Sequence, residues 1–415
     1  MTEIQKHDPF MAMRIGEYRS LMVGRFLFVV GLRMMGTLVG WWIYNLTDLP
    51  FAIGLIGLSE VIPAVSLALY AGHIIDISEK RKLLLTGVLV YGILCFCLWL
   101  LSTPYSSATL SKQSIANCIY GIIFFTGVAR SFTGPTFNVM IGSIIKDRKL
   151  IQNATTWSQS MWLSASVIGH AGAGILIATI GNQGTLTVIC TLIAIAWIIF
   201  LQIKSKPALN ERGDKRTWES VKEGIAFVIK TKELLGALTL DLFAVFFGGA
   251  VAMVPVYARD YLKVGAEGFG FLNSASDIGS ILIVVMLTIF PLRRKQGLKL
   301  LFSVAGFGIC IIVFGISTLF WVSFAALLLS GILDGISVVI RGTIMQLKTP
   351  ENMRGRVMSV NSMFINSSNE LGQFESGFAA KLMNVIPSVV FGGCMTLFVV
   401  GVSWFKLPAM KKMEY

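Results

Sequence analysis

The sequence predicts an all-α membrane protein in which twelve transmembrane helices form two pseudo-symmetric halves of six. Composition, the spacing of apolar runs and the side on which basic residues collect predict it together. Of 415 residues, 55% are hydrophobic and only 14% charged, with a mean hydropathy of +0.74, whereas soluble domains carry about a quarter charged residues. Twelve runs approach the roughly twenty residues that a helix needs to cross about 30 Å of hydrocarbon. Of the 35 Lys and Arg, 27 lie in alternate connections between those runs and four in the others. Such a bias places both termini on the cytoplasmic side and requires an even number of crossings.

The first twenty residues are polar and lack the apolar core and cleavage site of a secretory signal, so the first span is expected to persist. Six runs follow at 21–46, 51–75, 83–103, 115–145, 152–180 and 183–203, and six more at 234–258, 267–291, 298–318, 321–346, 357–382 and 387–405. Residues 1–203 are thus expected to form one half, 204–232 a cytoplasmic linker and 233–415 the second half. Within the linker, Trp218, Val221, Ile225, Phe227 and Val228 fit an amphipathic surface helix, and a plain tether fits equally. Basic turns after the second and fourth span of each half (EKRK and KDRK; RRKQG and ENMRGR) hint at internal repetition. All six cysteines fall within apolar runs without CxxC spacing, as packing thiols do. A charge of +13 spread over alternate loops argues against nucleic acid as partner.

Nine ionisable residues lie well inside spans: Arg33, Glu60, Arg130, Asp241, Asp277, Asp334, Arg341, Glu370 and Glu375. At roughly 3 kcal/mol each, facing lipid would cost about 27 kcal/mol, beyond the roughly 5–15 kcal/mol of a typical folding stability. They must therefore face one another or water. Spans 3, 6, 9 and 12 carry none, as expected if those four face lipid while the other eight enclose a polar cavity. Asp334 and Arg341 share a face of span 10 but stand about 10.5 Å apart along it, so each is expected to find its partner on another helix. Ser362, Asn366, Asn369, Glu370 and Gln373 form a polar stripe on span 11, while Glu375 lies on a different face, at an outer gate or a helix contact. Trp41, Trp42 and Trp157 are aromatic candidates for stacking on a ligand, with core packing as the default.

Gly72, Asp76, Lys80, Arg81 and Lys82 are similar to the Gly-x-x-x-Asp-Arg-x-Gly-Arg-Arg loop motif of the major facilitator superfamily, departing from it at Ile77 and Glu79. Arg130, opening RSFTGP in span 4, resembles that family's intramembrane arginine. Gly169, Gly172 and Gly174 resemble an exporter's Gly-Pro-x-x-Gly-Gly string, with His170 in place of the proline. The strings at 40–63, 241–260, 333–364 and 367–377 are similar to the enterobactin-exporter-like branch, whose named members export siderophores.

The resemblance implies the major facilitator fold and alternating access, with two halves rocking about a central site. The expected cargo is a small organic molecule, siderophore-like or amphipathic, exported from the cytoplasm in exchange for protons. An importer of the same fold and a non-transporting receptor are the rival readings. The substrate cavity is expected to include Arg33, Arg130, Asp241, Asp334, Arg341, Asn366, Glu370 and Gln373. Proton coupling needs a buried carboxylate able to hold a proton, and Asp241, Asp334, Glu370, Glu60 and Asp277 are the candidates. A cytoplasmic gate is expected from Gly72, Asp76, Arg81, Arg354 and Arg356, with Asp76 facing the start of span 11. HExxH, CxxC, GxSxG and GxxxxGK[ST] strings are missing. Neither an enzyme, a metal, a cofactor nor ATP as energy source is therefore expected, and the unit is expected to be a monomer.

Overall fold

The computed structural model describes residues 10–205, 217–290, 292, 294–350, 353–406, 411 and 414. Within helices, some side chains, those of Asp76, Trp218, Val221, Arg354, Arg356, Ser362 and Asn366 among them, also lie outside the described set.

Ten described segments are long and apolar enough to cross a membrane. One of these, Leu150–Phe200, is two crossings joined at Gly181, whose φ of +68° reverses the chain where a side chain would strain it. A further crossing, Arg354–Met383, carries too many polar residues to register as apolar. The crossings are α1 (Gly16–Thr47), α2 (Pro50–Ile77), α3 (Lys80–Leu101), α4 (Lys112–Ile144), α5 (148–180) and α6 (182–200) in the first half. The second half holds α7 (Lys232–Phe247, continued irregularly to Tyr261), α8 (Gly265–Ile289), α9 (Gln296–Ile316), α10 (Phe320–Lys348), α11 (Arg354–Met383) and α12 (Val385–Lys406). Two shorter helices, Pro104–Thr109 and Thr217–Lys230, lie between crossings, and no strand occurs among the described residues.

Helix ends follow local chemistry. Asp48 closes α1 in the left-handed conformation (φ +56°), its N–H bonded to the Tyr44 carbonyl, and Pro50 opens α2 where a missing N–H costs nothing. Ser111 caps α4 by accepting from the Ser114 N–H. Lys80 is fully buried rather than solvated, and its ammonium caps α2 through the Ile75 carbonyl and, at 3.0 Å, the Ser78 carbonyl.

The seventh crossing departs from the straight span expected over 234–258. Regular helix ends at Phe247, and the chain passes through a 3-10 turn (Gly249–Met253) and a π turn (Tyr257–Tyr261). Two glycines and Pro255 explain the break. A Cβ at Gly249 would lie 2.4 Å from the Gly372 carbonyl oxygen, so α7 and α11 touch backbone to backbone there.

As the charge pattern predicts, α3 packs on α4 and α6, and α9 on α10 and α12, without a substantial contact to the opposite half. The halves meet instead along α2 with α11 and α5 with α8. Gly377 lies against Gly54 and Gly270 against Gly174, so close that a Cβ on Gly377 or Gly270 would approach the partner's Cα to 2.7 and 2.6 Å. Both glycine pairs lie toward the face opposite the basic loops, called the outer face below.

The linker helix Thr217–Lys230 buries Val228 and half-buries Ile225 and Phe227 against Leu234, Leu238 and Val357 of the second half. It is docked to protein rather than a plain tether.

Glycine notches also hold α8 to α10. A Cβ on Gly331 would sit 1.9 Å from the Ser276 carbonyl oxygen, and one on Gly279 2.1 Å from that of Leu328. Gly331→Ala is expected to push the helices apart, costing about 1–3 kcal/mol. Thermal unfolding of the purified protein in detergent checks this as a midpoint lowered by several degrees.

Candidate functional site

Arg130 stands mid-depth on α4, where Gly127 one turn earlier lets α4 approach α2, since a Cβ there would meet the Glu60 carbonyl oxygen at 2.6 Å. Its Nη1 donates to Glu60 Oε1 at 2.5 Å within the first half and to Glu370 Oε1 at 2.8 Å on α11 of the second half. One guanidinium thus clamps a carboxylate from each half. Glu370 Oε2, buried, has no hydrogen-bond partner among the described residues, and the contact that this carboxylate does make there is the cross-half one.

A second polar group joins α1, α5 and α8. Ser166 Oγ donates to Asp277 Oδ2 at 2.7 Å, His170 Nε2 lies 3.6 Å from the same oxygen, and His170 Nδ1 hydrogen-bonds Thr37 Oγ1 at 2.8 Å. Asp277 belongs to the second half and the other three to the first. Arg33 lies one turn before Thr37 with its guanidinium 4.7 Å from the centre of the Trp162 ring. The glycine string of α5 serves this geometry: a Cβ at Gly169 would strike the Arg33 Cβ at 2.5 Å, and Gly174 seats α5 on α8.

The third group lies within the second half. Arg341 Nη1 pairs with Asp241 of α7, both being 5% exposed, and Arg341 Nη2 lies 3.9 Å from Asp334 Oδ1. The expectation that Asp334 and Arg341 would not meet is corrected: the α-carbon to β-carbon bond tilts toward the helix N-terminus, and the long arginine side chain reaches back two turns. Asp241, Asp334, Ser303, Phe307 and Ser337 line a recess with about 10 Å³ of water-accessible space, about enough for one water. Asp241 and Arg341 are thus paired within this half with little accessible surface, while the Asp334 side chain keeps 42% of its surface accessible.

The polar stripe on α11 is divided. Glu370 joins the Arg130 clamp, Asn369 is exposed, and Gln373 packs over Gly57 in the α2–α11 seam rather than on a cavity wall. The Asn366 side chain lies outside the described set, as do those of Asp76, Arg354 and Arg356 at the expected gate. Of the remaining gate candidates, Gly72 is half-buried, and Arg81 Nη2 donates to the Leu201 carbonyl at 2.8 Å, capping α6 within its own half instead of reaching across. Glu79, where the loop motif departs from the family pattern, ties the α2–α3 turn to the end of the first half. It accepts from Ser205 Oγ at 2.6 Å and pairs with Lys82 at 3.1 Å, contacts that hold its carboxyl below the usual range.

A latch on the outer face was not expected from sequence. Arg259, in the π turn after α7, pairs with Asp48 at 2.7 Å and Asp260 at 2.8 Å and donates to Asn45 Oδ1 at 3.2 Å. Its Cζ stands 4.0 Å over the Tyr44 ring, whose hydroxyl bonds Asp260. Trp41 stacks on Phe269 at 5.4 Å beside it, Trp42 is buried and Trp157 packs on Phe10, so none of the three lies at the Arg33 site. Trp162 is the ring found there. Hydrogen bonds, ion pairs and ring contacts joining the halves between described partners lie at mid-depth or toward the outer face.

Two six-helix halves meeting along α2–α11 and α5–α8, with charges paired across the seam, define a transporter of the major facilitator superfamily and not an enzyme. The sequence profile of the transmembrane secretion effector family matches residues 7–415, and the chain belongs to that family. Among curated proteins it is 24% identical over 393 residues to the enterobactin exporter EntS of Escherichia coli O1:K1, covering 93% of this chain and 90% of that protein. The enterobactin exporter EntS of Shigella boydii serotype 18 matches to the same extent. Among solved structures, the nucleoside transporter NupG superposes with a TM-score of 0.75 at 13% identity, over 95% of this chain and 99% of that one. A POT family transporter in complex with 5-aminolevulinic acid gives 0.76 at 11%, over 95% and 96%. At such identities these structures show the fold alone.

Proposed function

We propose that the protein exports a small organic molecule across the bacterial cytoplasmic membrane by alternating access, driven by inward flow of protons. The unit is a monomer with both termini in the cytoplasm, and the cargo is siderophore-like or amphipathic, in line with the exporter relatives. The observation that carries this reading is the Arg130 clamp on Glu60 and Glu370. Rocking the halves apart separates Arg130 from Glu370, and a buried carboxylate that loses its guanidinium takes up a proton. Return of Arg130 expels that proton on the opposite side. Asp277, held across the α5–α8 seam by Ser166 and His170, is a second group that the same motion uncovers. A seam closed on the outer face is a state that loads cargo from the basic, cytoplasmic side.

The test begins with the small molecules retained by cells lacking the gene but not by the parent. A retained compound is expected to enter everted vesicles with an acid interior and to stop doing so when a protonophore is added. Flux indifferent to the pH gradient, or movement only into right-side-out vesicles, overturns the reading.

A further inference from the structure

We infer that Arg33 and Trp162 form the subsite that receives an oxyanion of the cargo, which makes the cargo an organic anion, a carboxylate or a similar planar oxygen pair on an apolar body. The inference rests on the transporter reading above. Three arginines occupy the middle of the bundle, and the structure separates them. Arg130 is shared by Glu60 and Glu370, and Arg341 by Asp241 and Asp334. Arg33 alone of the three has no carboxylate within ion-pair distance and no hydrogen-bond partner among the described residues. Nearer the basic face, Arg25 is occupied differently, bonded to Ser158 and placed over Phe137.

The position of Arg33 makes that vacancy unusual. It lies 17 residues into α1, about 26 Å along the helix, where a guanidinium without a direct ion pair costs several kcal/mol. It is half-buried, so part of its surface remains accessible at that depth. The carboxylate facing it across the seam, Asp277, attracts it electrostatically from beyond ion-pair distance while accepting a hydrogen bond from Ser166, with the His170 ring 3.6 Å away. One face of the guanidinium rests on Trp162, and its N–H edge is left free. A planar fork of N–H donors with one face covered by an indole matches a carboxylate bidentately, and it disfavours a cation. The cross-seam placement adds a consequence: an anion on Arg33 neutralises the first half's side of the α5–α8 seam, beside Asp277 of the second half.

Equilibrium binding separates this idea from the transport reading, because no gradient or flux is involved. The full chain in lipid nanodiscs is titrated calorimetrically with three probes that share one naphthyl body: 1-naphthoate, 1-naphthylmethanol and 1-naphthylmethylammonium. Naphthoate is expected to bind at least tenfold more tightly than the other two. Arg33→Gln is expected to abolish that preference, and Arg33→Lys, which keeps charge but loses the fork, to weaken naphthoate by about three- to tenfold. Trp162→Leu is expected to weaken it similarly. Binding of the ammonium as tightly as the anion, undiminished naphthoate binding in Arg33→Gln, or no binding of naphthoate at millimolar concentration overturns the proposal. Should Arg33→Gln fail to fold, the wild-type ranking of the three probes and the Trp162→Leu titration decide it.

Discussion

Arg130→Gln is expected to lower transport at least a hundredfold, the largest effect of any single substitution within the membrane. It strips the guanidinium from two carboxylates at once, and although the Arg130 side chain is itself 39% accessible, Glu370 is only 7% so; leaving a buried carboxylate without its counter-ion costs about 3–5 kcal/mol, or two to three and a half orders of magnitude. Glu370→Gln should behave differently. Its amide oxygen can still accept from Arg130, the Glu60–Arg130 pair survives at 2.5 Å, and only the charge proposed to alternate between guanidinium and proton is gone. In proteoliposomes loaded with the cargo, net flux driven by a pH gradient is expected to fall at least tenfold while exchange of cargo for cargo persists. If Glu370 served packing alone, net flux and exchange would fall together. If Arg130→Gln retained more than a tenth of wild-type flux, the clamp would have no part in the cycle.

The contrast between Arg130 and Arg33 shows how far the sequence reaches. Span count, halves and the uncharged helices 3, 6, 9 and 12 are legible because each depends on local composition, and a charge facing lipid costs too much to be scattered at random. Pairing is a different kind of fact. Arg130 and Glu370 are 240 residues apart, and which carboxylate an arginine meets is decided by helix packing, as at Gly127, not by the pattern on either helix. Asp334 and Arg341 were correctly placed on one face, yet the axial distance misled because it measured backbone rather than the reach of the side chain. His170 looked like a damaged motif position, whereas it bonds Thr37 and adjoins Asp277. The irregular α7 was hidden because Gly248, Gly249 and Pro255 interrupt hydrogen bonding without interrupting hydropathy. The outer latch was hidden for a related reason: Asp48 and Arg259 read as loop charges near span ends, and only the fold brings residues 211 positions apart within 2.7 Å.

That latch is the second site of large effect. Arg259 makes two ion pairs, two hydrogen bonds (to Asn45 Oδ1 and, at 3.5 Å, to the Tyr44 carbonyl) and a cation–π contact, and three of the four partner residues (Asp48, Asn45, Tyr44) belong to the opposite half. Each contact is partly solvated and so worth at most about 1 kcal/mol; together they bias the outer face toward closure by about 1–2 kcal/mol. Arg259→Ala is therefore expected to raise the outward-open population about five- to thirtyfold. Spin labels on Tyr105→Cys and Leu319→Cys, which are 77% and 65% exposed on outer connections of the two halves, can report this as a growing long-distance component, with the six native cysteines replaced by serine. Asp48→Asn, which removes the more exposed partner, is expected to produce less than a threefold change. Because the latch holds only one end of the cycle, Arg259→Ala should leave naphthoate binding at Arg33 within about threefold while slowing the return step of transport. A distance distribution unchanged by Arg259→Ala would mean that the glycine seams at Gly54–Gly377 and Gly174–Gly270 close the outer face without it.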